Sequence, residues 1–143
     1  KAQALGMKVL AYDIFKAEGL ENENMKYVEM DELLANSDFI SVHTPSIDGK
    51  PLINADTIAK MKDGAIVINT SRGNNVDEDA LLAALESGKL RGAGLDVFAE
   101  EPAKNHALYS HPHVSCTPHI GAQTAEAQKR VGAEIVDIIK NFA

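Results

Sequence analysis

The chain has 143 residues, of which 45% are hydrophobic and 24% charged, and its formal net charge is −7. These values fit one globular domain with a buried core and argue against disorder. An acidic chain with no visible basic face lacks the positive charge that binding to the phosphates of DNA or RNA requires. No apolar run approaches the ~18–20 residues of a membrane span. We therefore predict neither a nucleic-acid partner nor a membrane partner.

Helices and strands are predicted to alternate along the chain. Residues 1–6 are typical of the last turn of a helix that stops at Gly6. Apolar patterning predicts strands at 7–13, 38–42, 65–69, 93–97 and 113–117, and helices at 31–35, 53–61, 78–87 and 124–141. Asn54 and Asp77 are the predicted helix N-caps. This order predicts the α/β class, with a Rossmann-like, doubly wound parallel sheet.

Two further features concern the second half of the chain. The irregular stretch 98–113 is long for a compact domain, and loops of that length are more often functional than idle. The single cysteine, Cys116, lies in an alternating apolar stretch, and we expect a small, buried strand residue there. One cysteine without a disulfide partner, and no visible signal peptide, favour a cytoplasmic location.

Asp13 ends a predicted strand that follows a helix. A carboxylate there can accept hydrogen bonds from both ribose hydroxyls of an adenosine and would repel a 2′-phosphate, which favours NAD over NADP. An ordinary turn residue is the simpler alternative. The glycine-rich phosphate loop of this signature should stand about 20 residues upstream, before residue 1. We therefore expect an N-terminally truncated domain in which the first strand and glycine-rich loop are missing.

Three chemically active residues stand where predicted strands give way to loops: Arg72, Glu101 and His119. Open α/β sheets bind their ligands at such strand ends. An arginine can hold a carboxylate bidentately, and histidine is the usual acid or base near neutral pH. A carboxylate beside the imidazole would fix its tautomer. Each residue taken alone is equally compatible with an ordinary loop position.

A zinc site is the main alternative for the histidines. Four of them, His106, His111, His113 and His119, lie close together in sequence. Their spacing is irregular and prolines intervene, whereas zinc ligands usually recur at short fixed spacings. We predict no metal site.

Six short motifs follow one another along the chain. They are Val-His-Thr-Pro at 42–45, Ile-Asn-Thr-Ser-Arg-Gly at 68–73, Val-Asp-Glu at 76–78, Gly-Leu-Asp-Val-Phe at 94–98, Glu-Pro at 101–102 and Thr-Pro-His-Ile-Gly at 117–121. In this order they resemble the NAD-binding domain of the D-isomer-specific 2-hydroxyacid dehydrogenases, from residue 1 to about residue 140. Among the subfamilies of this family, the D-3-phosphoglycerate dehydrogenases are the ones that residues 120–128 resemble most.

The resemblance implies roles at the matching positions. Arg72 would bind the substrate carboxylate, His119 would be the general acid or base, and Glu101 would orient His119. The implied cofactor is NAD. Its implied contacts are Asp13 at the adenosine ribose, Thr44 and Pro45 at the adenine, Thr70, Ser71 and Arg72 at the nicotinamide ribose, Asp96 at the carboxamide, and His119 and Gly121 at the ring.

The resemblance also implies what the intact protein does. Residues 1–143 would be a partial NAD-binding domain, with the substrate domain absent, so we expect no activity from this piece alone. The parent would be a homodimer that oxidises a D-2-hydroxy acid, with 3-phosphoglycerate of serine biosynthesis as the first candidate. Glycerate, lactate and glyoxylate dehydrogenases are alternatives. A different class, the NAD(H)-sensing transcriptional co-repressors, has the same fold and similar residues at these positions.

Overall fold

The computed structural model describes residues 1–46 and 49–142, in which parallel strands alternate with helices. The strands are β1 Val9–Ala11, β2 Met25–Tyr27, β3 Phe39–Val42, β4 Ala65–Asn69, β5 Leu90–Leu95 and β6 Val114–Cys116. The helices are α1 Met30–Asn36, α2 Ala55–Lys60, α3 Glu78–Glu86, α4 His106–Tyr109 and α5 Ala125–Phe142. Short 3₁₀ turns occupy Gln3–Leu5 and Gly73–Asn75. The predicted α/β class is confirmed.

All pairs between the named strands are parallel, and these strands form two sheets. β1 pairs with β2, and β3, β4, β5 and β6 pair side by side in that order. Strand β2 is missing from the sequence prediction, because three residues in a polar stretch carry too little periodicity to be recognised. The stretch 98–113, predicted to be loop throughout, contains the short helix α4.

The carboxyl ends of four strands lie in one row of the sheet. Val42 of β3 is in register with Asn69 of β4, Asn69 with Leu95 of β5, and Leu95 with Cys116 of β6. The chain therefore leaves the sheet at one common edge after each of these strands. All three candidate catalytic residues are carried by loops that begin at this row.

Burial of β4 and β5 anchors that edge. Ala65, Val67 and Asn69 of β4 are buried and alternate with half-buried isoleucines, while the neighbouring Leu90 is 1% exposed. Helix α3 packs Leu81 and Leu85 into the same core. Each fully buried aliphatic side chain contributes about 1.5–3 kcal/mol relative to an exposed one. The strand ends that carry the site therefore belong to the best-packed part of the chain.

The predicted helix caps are confirmed. The Asn54 side chain accepts hydrogen bonds from the backbone amides of Asp56 and Thr57, and Thr57 bonds back to the Asn54 amide to form a capping box. Asp77 caps α3 through the amides of Asp79 and Ala80. Gly6, as predicted, follows the first turn in the left-handed conformation, with φ of 80°.

Two parts of the carboxyl-terminal region face solvent. The predicted burial of Cys116 is wrong: β6 is the edge strand of the four-stranded sheet, and the cysteine is exposed because little packs over the end of that strand. Helix α5 has the predicted apolar face, but Val131, Ile135 and Ile138 are each about half exposed, at 48%, 51% and 52%. Among the described residues, no helix is long and apolar enough to cross a membrane.

Candidate active site

The imidazole of His119 and the carboxylate of Glu101 form a hydrogen-bonded pair. His119 Nδ1 lies 2.7 Å from Glu101 Oε2, although the two residues stand on different loops after β5 and β6. This bond holds the pKa of the Glu101 carboxyl below its usual value, with a smaller contribution from the Phe98 amide. Because an ionised carboxylate only accepts, Nδ1 carries the proton, and Nε2 is left for a ligand.

The backbone of His119 is held in a conformation that few side chains adopt. Its φ of 54° makes it the one non-glycine residue with positive φ in the described chain. Such a conformation costs about 1–3 kcal/mol and persists only where neighbouring contacts enforce it. The Asp96 carboxylate supplies those contacts. Its donors are Thr117 Oγ1 at 2.5 Å, the Ile120 amide at 2.9 Å and the Gly121 amide at 3.0 Å.

Asp96 is buried, with 6% of its surface exposed. Burial alone would raise the pKa of its carboxyl, but the hydrogen bonds from Thr117, Ile120 and Gly121 outweigh burial and leave the pKa lowered. The carboxylate is therefore ionised at neutral pH. It closes the turn on both sides of His119.

We expect Asp96→Asn to destabilise the chain by about 1–3 kcal/mol at neutral pH, because an amide group would face a backbone donor. A lowered carboxyl pKa stabilises the fold above its unfolded value of about 3.9, and this stabilisation disappears as the pH falls through the folded value. The difference in free energy of unfolding between wild type and variant should therefore shrink in acid. Urea unfolding at pH values of about 7 and 3 measures it.

Asp63→Asn is the matched control for that measurement. The pKa of Asp63 is also lowered, by its hydrogen bond to Lys89, but its side chain is 89% exposed. Exposed ion pairs contribute little to stability. If Asp63→Asn lost as much stability as Asp96→Asn, the result would contradict a special role for the buried carboxylate of Asp96.

Arg72 lies on the turn after β4, and its guanidinium is exposed. Nη1 donates to the carbonyl of Ser71 at 2.7 Å, and Arg72 has no hydrogen bond to Glu101 or His119 among the described residues. The structure therefore brings two of the three predicted catalytic side chains into contact and places the third on an adjacent loop, free to meet a ligand.

Gly73 brings the turn of Arg72 against the segment that carries Glu101. A Cβ atom built on Gly73 would lie 1.8 Å from the carbonyl oxygen of Phe98. No side chain fits into that distance, so the two backbones can meet only at a glycine. This contact fixes the positions of the two loops relative to each other.

The remaining predicted cofactor residues lie on loops after β1, β3 and β4. Asp13 is exposed, and its carboxylate accepts from the Phe15 amide at 2.9 Å, which is a local turn contact. Pro45 and Thr70 are exposed, whereas Thr44 and Ser71 are half-buried. A role for these residues toward NAD stays a prediction.

Sequence reasoning missed the polar residues that hold these loops together. Asn69 and Asn75 are each 1% exposed, and both bond to Ser71. Thr117 holds Asp96. One sequence signal could have revealed Asn69: it is a polar residue at the end of a buried apolar strand.

The histidines proposed as the zinc alternative have other contacts. His106 bonds to the hydroxyl of Tyr109, and the rings of His111 and His113 lie 5.6 Å apart. Within 1–46 and 49–142, no group of three or more histidine, cysteine or carboxylate side chains is placed to hold a metal ion.

Comparison with known proteins identifies the family. The sequence model of the D-isomer specific 2-hydroxyacid dehydrogenase NAD binding domain matches residues 1–121. The chain belongs to this family. Its fold agrees: the crystal structure of D-lactate dehydrogenase from Aquifex aeolicus, complexed with NAD and lactic acid, superposes with a TM-score of 0.86 at 38% identity. That alignment covers 98% of this chain and 47% of the other.

Within the family, relatives with different names are similarly close. Hydroxypyruvate reductase of Thermotoga maritima is 49% identical over 97% of this chain and 46% of its own length. D-3-phosphoglycerate dehydrogenase of Synechocystis is 44% identical over 98% of this chain and 26% of its own length. The chain thus spans less than half the length of either relative. It is an NAD-binding domain of the D-2-hydroxyacid dehydrogenases, and the resemblance does not single out one substrate.

Proposed function

We propose that the protein carrying this chain is an NAD-dependent oxidoreductase that interconverts a D-2-hydroxy acid and its 2-keto acid. The observation that carries this proposal is the 2.7 Å bond between Glu101 and His119, at the edge of the sheet where open α/β folds bind ligands. An imidazole whose Nδ1 is bonded to a carboxylate presents Nε2 as a proton carrier of fixed orientation.

NAD, when bound, supplies or accepts the hydride. The residues present fit this group, because Asp96 Oδ2 has one donor and retains acceptor capacity for a carboxamide. We propose that Asp13, Thr44, Pro45, Thr70, Ser71, Arg72, Asp96, His119 and Gly121 line its site. His119 Nε2 delivers a proton to the keto oxygen in reduction and removes it from the hydroxyl in oxidation. Glu101 stabilises the imidazole while that nitrogen is protonated.

Arg72 is proposed to bind the carboxylate of the substrate. A guanidinium matches a carboxylate with two parallel hydrogen bonds, which fixes the keto carbon relative to His119. Among the residues that the structure describes, the guanidinium makes one hydrogen bond, to the Ser71 carbonyl on its own turn, and its other donors are available. The same positive charge stabilises the substrate oxygen as it gains negative charge.

The substrate itself is a finer proposal. D-3-phosphoglycerate, with a role in serine biosynthesis in the cytoplasm, is supported by the relatives of that name at 44% identity. Reduction of hydroxypyruvate is supported by the relative at 49% identity. The keto acid that corresponds to 3-phosphoglycerate is 3-phosphohydroxypyruvate, which differs from hydroxypyruvate by one phosphate group. A second, substrate-binding domain would recognise that group. A homodimer is likewise proposed for the intact protein.

The test uses the full-length protein that contains this chain. NADH consumption is measured with hydroxypyruvate, 3-phosphohydroxypyruvate, glyoxylate and pyruvate, and we expect turnover of at least one of them. NADH binding without turnover of any 2-keto acid would contradict the enzymatic proposal and favour an NAD(H)-sensing regulator. The ratio of kcat/KM for the first two substrates decides between the two finer proposals.

A further inference from the structure

A buried amide connects two of the loops that form the site. Asn75 is 1% exposed, and its Nδ2 donates to the Thr44 carbonyl at 2.9 Å. The same nitrogen lies 3.1 Å from Thr44 Oγ1 and 3.1 Å from Ser71 Oγ. Thr44 follows β3, whereas Ser71 follows β4. One side chain therefore spans the gap between neighbouring strand ends.

The bonds continue from Asn75 to the backbone of Arg72. Ser71 Oγ donates to Asn69 Oδ1 at 2.8 Å, and Asn69 Nδ2 donates to the Arg72 carbonyl at 2.9 Å. Asn69 is also fully buried, at 1% exposed. Hydrogen bonds thus run without interruption from the Thr44 loop to the turn that presents the guanidinium.

The orientation of the Asn75 amide follows from its partners. A backbone carbonyl can only accept, so the NH₂ group must face Thr44. This orientation leaves Asn75 Oδ1 buried without a hydrogen-bond partner among the described residues. An unsatisfied buried acceptor costs about 1–3 kcal/mol, and an apolar side chain of similar shape would avoid that cost. The amide is a poor choice for packing, so its donors are the feature that needs explanation.

We propose that Asn75 is a positioning residue that holds the Thr44–Pro45 loop, on the cofactor side, in register with the Ser71–Arg72 turn, on the substrate side. This inference rests on the proposed function of those loops. It adds a coupling between them: loosening one end of the hydrogen-bonded chain displaces the other. Asn75 itself touches neither substrate nor cofactor.

The test replaces Asn75 in the full-length protein. Asn75→Leu keeps the branching of the side chain at Cγ and removes the donors together with the unsatisfied oxygen. Losing about one hydrogen bond per loop should raise KM for the 2-keto acid and Kd for NADH each by about 5–10-fold. We expect kcat to change by less than about 3-fold. The thermal midpoint should stay close to that of the wild type, because removal of the unsatisfied oxygen offsets the loss of the donor to the Thr44 carbonyl. A residue that served only for packing would change stability and leave KM and Kd unaltered.

Coupling through Ser71 is measured by a double-mutant cycle. If Asn75 acts through that hydroxyl, Ser71→Ala should raise KM in the wild type but add little in Asn75→Leu. Should Asn75→Leu fail to fold, Asn75→Ser, which is smaller and also lacks the amide, carries the same measurement. Strictly additive effects on KM would contradict the coupling.

The matched control is Lys89→Met, at the opposite edge of the sheet. Lys89 Nζ donates to the Met61 carbonyl at 2.7 Å, so this change also removes a donor from a backbone acceptor. It should lower stability without altering KM or Kd. Values of KM and Kd within about 2-fold of the wild type for Asn75→Leu would overturn the inference.

Failure of the proposed function would be visible separately. If the wild type turns over no 2-keto acid, the enzymatic proposal is wrong, and the coupling is judged by hydrogen exchange. The Ser71 amide, bonded to Asn69 Oδ1 at 3.1 Å, should exchange faster in Asn75→Leu than in the wild type. Unchanged exchange there would overturn the coupling.

Discussion

Replacing His119 by asparagine should lower kcat of the full-length protein by about 10²–10⁴-fold, while NADH affinity stays within a few-fold. Asparagine accepts the left-handed backbone that His119 adopts, with its φ of 54°, more readily than most residues. It can also still donate a hydrogen bond to Glu101. What asparagine lacks is an imidazole that can carry a proton, so the loss of kcat isolates proton transfer from folding.

Steady-state kinetics and NADH fluorescence titration measure this variant. His113→Asn is the control, because His113 is an exposed histidine outside the proposed site, with its ring beside His111. That control should keep kcat. If His119→Asn retained most of the wild-type kcat, His119 would not be the acid or base.

Gly73→Ala should be the most destabilising single methyl addition in this region. The new Cβ would lie 1.8 Å from the Phe98 carbonyl oxygen, and a backbone oxygen cannot rotate away as a side chain can. Overpacking typically costs about 1–3 kcal/mol, and a clash as close as this one belongs at the upper end of that range. Relief requires movement of the segment that leads from Phe98 to Glu101. We therefore expect kcat to fall as well, since the Glu101–His119 bond is displaced.

Urea unfolding and kinetics together test this expectation. Gly132→Ala is the control: Gly132 lies within α5, a Cβ there has nothing within 4 Å, and alanine favours helices by about 1 kcal/mol. The control should be stabilised or unchanged. A Gly73→Ala protein with wild-type stability would show that the close approach of the two loops is not required.

Buried elements were predictable from the sequence to the extent that their patterns are local. β4 is predicted residue for residue because a continuous apolar run stands between turn residues. The caps Asn54 and Asp77 follow from side-chain chemistry. The predicted burial of Cys116 is wrong because the alternation of apolar residues indicates which way a side chain points but not what covers it.

The same distinction between local and long-range information applies to the candidate site. The pairing of Glu101 with His119 is implied by the family resemblance that the ordered motifs carry, and the structure shows the contact. The roles of Asn75 and Gly73 depend on which loops meet, and residues distant in sequence decide that. Asn75 bonds to Thr44 across a separation of 31 positions, and no local pattern reports such a contact.

The exposed cysteine offers a practical handle on this molecule. Cys116 is the one thiol of the chain, it ends β6, and it shares a surface groove with Thr117 and Pro118, which lead to His119. A fluorophore or spin label attached there would sit close to His119. Partial burial raises the pKa of the Cys116 thiol, so labelling should run best in mildly alkaline buffer. Spectral changes of such a probe would then report ligand arrival in real time.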